Sequence, residues 1–169
     1  MLKSKVSFLM AILFILGMIS GCTPKNDPDG SIRFYYCYSE YQYDDDSGVI
    51  AFEHYIPAES ATDLQILNDY FRGPSSSEHH TPFPSGTDVV SLEVTQNKAI
   101  ITASADLSAL DGIDLTVACA CITLTVQQLT GRSTVEIRSS ESLLNNQKSV
   151  IMNTDDLLLT DIVTAETEN

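Results

Sequence analysis

Apolar residues recur at Leu115, Cys119, Ile122, Val126 and Leu129, at steps of four, three, four and three. That spacing predicts a helix with one buried face. Thr116, Thr123, Gln127 and Thr130 fall largely on the opposite side. Gly131 supplies the left-handed stop common after a helix, and Val135 and Ile137 open an alternating strand. Upstream, residues 32–38 (IRFYYCY) are rich in aromatic and β-branched side chains and read as a strand. Phe34, Tyr36 and Tyr38 share one face; Arg33, Tyr35 and Cys37 share the other. Apolar matter on both faces predicts an interior strand or one covered by a helix.

Residues 49–56 (VIAFEHYI) form a second strand ended by Pro57. Thr62, with Gln65 three residues on, predicts a capping box, and Leu64, Leu67 and Phe71 step as one helical face until Gly73-Pro74. Residues 75–86 read as a long polar loop over the surface. Residues 89–95 and 98–104 form a hairpin turned at Gln96-Asn97, with Val90, Leu92 and Val94 as its apolar face. Asp111 or Asp114 can cap the central helix. Residues 149–152 suit a last short strand, and residues from Asn153 a short capped turn. The order is β-β-α-β-β-α-β. It predicts an α+β single domain: a mixed β-sheet of four to six strands with two helices packed on one face.

The first 21 residues change the picture. Lys3 and Lys5 precede an almost unbroken apolar run, residues 6–19, and Ile19-Ser20-Gly21-Cys22 follows. The run is shorter than the roughly 20 apolar residues of a bilayer-spanning helix and fits a secretory signal. Small residues directly before Cys22 resemble the bacterial lipobox, so Cys22 is the expected lipidation site and new N-terminus. Residues 22–30 then form a tether, 31–160 the domain, and 161–169 an acidic disordered tail. The expected location is extracytoplasmic, on the cell membrane, through the Cys22 lipid rather than through charge.

The chain has 169 residues, with 9 Lys and Arg against 23 Asp and Glu, a net charge of −14. Such a chain is repelled by nucleic acid and by anionic headgroups, so neither is an expected partner. Past Cys22 three cysteines remain, and an odd number outside the cytoplasm leaves at least one free or paired between chains. On a helix Cys119 and Cys121 point about 200° apart, so they cannot jointly grip a metal. Cys119 reads as a small buried apolar residue. A Cys37–Cys119 bridge is conceivable but not favoured.

The residues offer little catalytic chemistry. Glu53 and His54 are strand neighbours that point to opposite faces, and Glu78-His79-His80 lies in the long loop. A catalytic zinc needs three convergent ligands, and the sequence forces no such convergence. There is no G-x-S-x-G elbow. Asp44-Asp45-Asp46 lacks the spacing and the distal Glu of a calcium loop. No cofactor, metal site or catalytic group is therefore expected. Tyrosines gather near the first strand, and Tyr35, Tyr41 and Tyr43 are candidates for an interaction surface.

Three segments recur in order: LNDYFRGP at 67–74, PFPSGTDVVSLEV at 82–94 and ITLTVQQLTGRSTVEI at 122–137. Together they resemble the GerMN domain of sporulation and spore germination proteins, over nearly all of residues 32–159. In that family a helix ends in Leu-Leu-x-Gly-Pro, a Pro-Pro-x-Gly-Thr loop leads into a hairpin, and a Thr-Leu-Thr helix precedes a Val-x-x-Val strand. Here Phe71-Arg72-Gly73-Pro74, Pro84-Ser85-Gly86-Thr87 and Thr123-Leu124-Thr125 occupy those places. The family's Gly-containing turn after the last core strand is replaced by Ser139-Ser140-Glu141-Ser142, and no internal repeat is present. The resemblance implies a non-catalytic, lipid-anchored module with an envelope protein partner, and an oligomer is possible. The alternative is a lipoprotein that binds a peptide, glycan or small molecule at a tyrosine-lined surface.

Overall fold

The computed structural model describes residues 28–39 and 49–157. The expected signal peptide, Cys22, Asp44 to Asp46, Tyr41, Tyr43 and the acidic tail lie outside them. Strand β1 (Ile32–Tyr38) pairs antiparallel with β2 (Ile50–Tyr55), with Tyr35 opposite Phe52. Helix α1 (Asp63–Phe71) follows, then β3 (His79–His80), β4 (Val89–Val94) and β5 (Ala99–Ala103). A 3₁₀ turn (Ala105–Ala109) leads to helix α2 (Gly112–Thr130), β6 (Thr134–Ser139), β7 (Val150–Asn153) and a last 3₁₀ turn (Thr154–Asp156).

The α+β class, both helices and the predicted order are present. The strands divide between two sheets, of order β2-β1-β3 and β4-β5-β6-β7, instead of forming one. Helix α2 explains the division. Leu115, Ala118, Cys119, Ile122 and Val126 join Ala99, Ile101, Val135 and Ile137 in the main core. The opposite face presents Cys121 and Leu124 to Tyr35 and Cys37 of β1, in a second apolar cluster. A helix buried on two faces needs two layers to bury them, which a one-face reading of its heptad-like pattern does not supply. Thr123, placed by the sequence on the polar side, is fully buried.

Local signals hold well. Thr62 and Gln65 form both halves of the capping box. Gly131 ends α2 at φ 68°. Gly73, at φ +107°, follows α1, and a Cβ there would sit 3.0 Å from the Thr81 methyl. Both conformation and space therefore demand glycine. Thr95 closes the two-residue hairpin turn, its amide donating to the Lys98 carbonyl at 2.9 Å. Asp111 stands at the N-cap of α2, though no side-chain bond from it caps the helix.

One strand face and one loop differ from expectation. A β-bulge between Val89 and Ser91 shifts the register of β4. Val89 is thereby buried and Leu92 packs on the core, while Val90 and Val94 are 53% and 48% exposed. The loop at 75–86 is not wholly superficial either: it contains β3, and Phe83 is buried against Tyr70 and Phe71.

Candidate functional site

The tyrosine strand is the natural starting point. Phe34, Tyr35, Tyr36 and Cys37 are all buried, as the two apolar faces of β1 predict. Tyr35 is only 6% exposed and packs on Phe52, so it does not contribute to an exposed interaction surface. Its backbone is more informative. The Tyr35 amide donates to the Thr125 hydroxyl at 3.0 Å, and the Tyr70 hydroxyl donates to the Tyr35 carbonyl at 2.9 Å. The stretch of β1 not covered by the short β3 is thus satisfied by side chains of both helices. Buried strand groups left without partners would destabilise the fold. Tyr36 donates its hydroxyl to the Tyr70 carbonyl at 3.0 Å. Burial holds the Tyr36 and Tyr70 phenols well above the usual range, so both stay protonated donors.

On the same sheet, β2 carries a polar clamp. Glu53 accepts from the Ser75 amide and hydroxyl at 2.9 and 2.7 Å, the Ser76 amide at 3.0 Å and His79 Nδ1 at 2.8 Å. Burial pushes this carboxyl up, but the four donors outweigh it and bring the group down to about 2. Sequence position hid this pair: Glu53 partners His79, not its neighbour His54. His79 and His80 diverge in exposure, as strand neighbours do. Among the described residues no three His, Cys, Asp or Glu side chains come together as metal ligands.

Two depressions stand out among the described residues. A polar groove of about 460 Å³ runs between the end of β2, the loop after it and α1, lined by Tyr55, Gln65, Asn68, Asp69, Arg72 and Asp88. Asp69 accepts from the Tyr55 hydroxyl and pairs with Arg72. That bond to a carboxylate raises the Tyr55 phenol above its ordinary value. Tyr55 itself stacks on Phe34 at 4.4 Å, which fixes one wall of the groove to the core. The sequence named none of these residues as a site, because they are ordinary polar positions until β2 and α1 are brought side by side. A smaller, more apolar cavity of about 300 Å³ lies by Cys37, Val49, His80, Phe83, Leu110 and Val117.

The open face of the larger sheet carries one more charged group. Glu136, opposite Ile100 and Ile151 on adjoining strands, accepts from Lys98 and Arg138. Those two cations hold its carboxyl down to about 2.

The arrangement offers binding walls and structural clamps. Thr123-Leu124-Thr125 now has a physical role, since Leu124 fills the second cluster and Thr125 receives the β1 amide. A family model, Germane, described as sporulation and spore germination, matches residues 34–142. The chain belongs to the Germane family. The match runs from β1 to just past β6, so it covers both helices and every strand but β7. Among solved structures, the tandem GerMN domains of the sporulation protein GerM from Bacillus subtilis are similar at TM-score 0.54 and 16% identity. That alignment covers 73% of this chain and 44% of the other, so the Germane chain here spans less than half the tandem structure. The first GerMN domain of the same protein is similar at TM-score 0.52 and 13% identity, over 73% of this chain and 94% of that one. No curated protein sequence matches.

Proposed function

We propose that this Germane protein is a lipid-anchored, extracytoplasmic interaction module that contributes to a sporulation, germination or cell-envelope assembly and performs no catalysis itself. The observation that carries this reading is the family match across 34–142, over a fold similar to a single GerMN domain. The anchor is Cys22, after a short apolar leader, with residues 22–30 as tether. A lipid at that point holds the domain at the outer membrane surface and leaves its faces free for an envelope protein. Metabolic labelling with an alkyne fatty acid tests the anchor: label is expected on the wild-type chain and lost in Cys22→Ala. Label retained in that variant would overturn it. Crosslinking in the native cell tests the module: repeated capture of one envelope protein supports it, and capture of none overturns it.

A second reading rests on the polar groove. Tyr55, Gln65, Asn68, Asp69 and Arg72 offer donors and acceptors around an aromatic wall, which suits a peptide or glycan. Thermal-shift measurements with peptidoglycan fragments separate the two. A shift abolished by Asp69→Ala favours ligand binding, and no shift with any fragment removes it.

A further inference from the structure

Two of the described cysteines meet. Cys37 on β1 and Cys121 on α2 pack together in the second apolar cluster, and both are free thiols. Cys121 Sγ also lies 3.7 Å from the Tyr36 carbonyl oxygen, one residue from Cys37. Cys119 faces the main core on the other side of α2. Cys37 lines the 300 Å³ cavity beside Val49, His80 and Asp114, whereas Cys121 is fully buried behind it. His80 stands directly opposite Cys37 in the β1–β3 ladder, on the same sheet face.

We propose that Cys37 and Cys121 are a thiol–disulfide exchange site, in which Cys37 takes a small disulfide from the cavity and Cys121 resolves it. The Cys37 thiolate attacks one sulfur of the incoming disulfide. That S–S bond breaks, and one thiolate leaves and takes a proton from water. Cys121 then loses its proton to solvent through the cavity and attacks Cys37, expelling the second thiolate. The two cysteines are oxidised by two electrons, and one small disulfide is reduced to two thiols. The order follows from position, since Cys37 lines the cavity and Cys121 is fully buried behind it. The Cys121 S–H is held by the Tyr36 carbonyl, away from the cavity lining, so Cys121 reacts second. The product ties β1 to α2 and closes a long loop holding β2, α1 and the β4–β5 hairpin, which restricts the unfolded chain. This exchange is independent of the anchor and of the envelope partner.

The test uses the full chain in detergent, treated with oxidised glutathione without denaturant. The expected product has lost two hydrogens and melts roughly 5–15 °C higher, reversibly with a dithiol reductant. Cys119 and Cys121 fall on one tryptic peptide, so variants assign the bond. It survives Cys119→Ala, while Cys121→Ser stops at a single glutathione on Cys37, and Cys37→Ser takes none on α2. If Cys121→Ser does not fold, the Cys119→Ala result decides alone. A folded chain whose Cys37 and Cys121 stay reduced, or a bond lost with Cys119→Ala, overturns the proposal.

Discussion

Leu115, Cys119, Ile122 and Val126 on one face of α2 meet the β5–β6 strands through apolar contact alone. The opposite face meets β1 through a thiol pair, a leucine and the Thr125 hydroxyl, which accepts a strand amide. Burial is nearly complete on both faces, but the forces differ. The first face gains from area removed from water, which is additive and tolerant of reshuffling. The second closes an open strand edge, where each buried donor has one partner and no substitute. The sheet beyond it continues in that style, with Tyr70 on the Tyr35 carbonyl and Glu53 holding four donors. One helix therefore serves as a hydrophobic wedge on one side and as a stand-in strand on the other.

The largest expected effect breaks the wedge. Ile122→Asp places an unpaired charge in the main core and should cost about 4 kcal/mol or more, enough to unfold a marginal domain. Circular dichroism melting checks it, and an unchanged midpoint would show that this face is not the core. Thr125→Val removes the acceptor for the buried Tyr35 amide at nearly constant shape. A loss of about 1–3 kcal/mol by urea titration is expected, and a cost near zero would break the idea of a side-chain strand edge.

Glu53→Gln sharpens the comparison through pH. The folded carboxyl is lowered to about 2, below the ordinary 4.5, so its stabilisation is complete above about 4.5 and lost as pH falls toward about 2. The wild type should lose stability through that window, with Glu136 adding in the same direction. Glu53→Gln should be less stable than wild type at pH 7 by about 1–2 kcal/mol, and the gap should narrow on acidification. Parallel pH curves for the two proteins would rule out this clamp.

Thr123 supplies a contrast two residues from Thr125. Its hydroxyl is buried and has no hydrogen-bond partner among the described residues. Thr123→Val should therefore raise stability by about 1 kcal/mol. The same substitution two positions apart thus carries opposite signs, and melts of equal sign would end the distinction. The smallest effect is Arg72→Ala. Its side chain is 77% exposed beside Asp69, and a change below about 0.5 kcal/mol is expected. A larger loss would mean that the groove wall is part of the fold's support.

Much of this architecture is written locally. The α1 capping box, the Gly131 stop, the hairpin turn and the two apolar faces of β1 depend on residues within a few positions of one another, so the sequence carries them directly. Separation of Cys119 from Cys121 also follows from helix geometry alone. The candidate site is another matter. Tyr55 meets Asp69, Glu53 meets His79, and Cys37 joins Cys121 in one cluster only after distant segments are packed.

By itself, then, the sequence determined both helices, every strand but β3, their order, the α+β class and the resemblance to the GerMN domain, because periodicity and turn chemistry act at short range. The tertiary structure alone decided that the strands form two sheets, that Tyr35 is buried, and that a bulge turns Val90 outward. Register and layer choice are long-range. They depend on which buried amides and apolar stripes find partners across the chain, and on α2 having two faces to cover where its spacing displays only one.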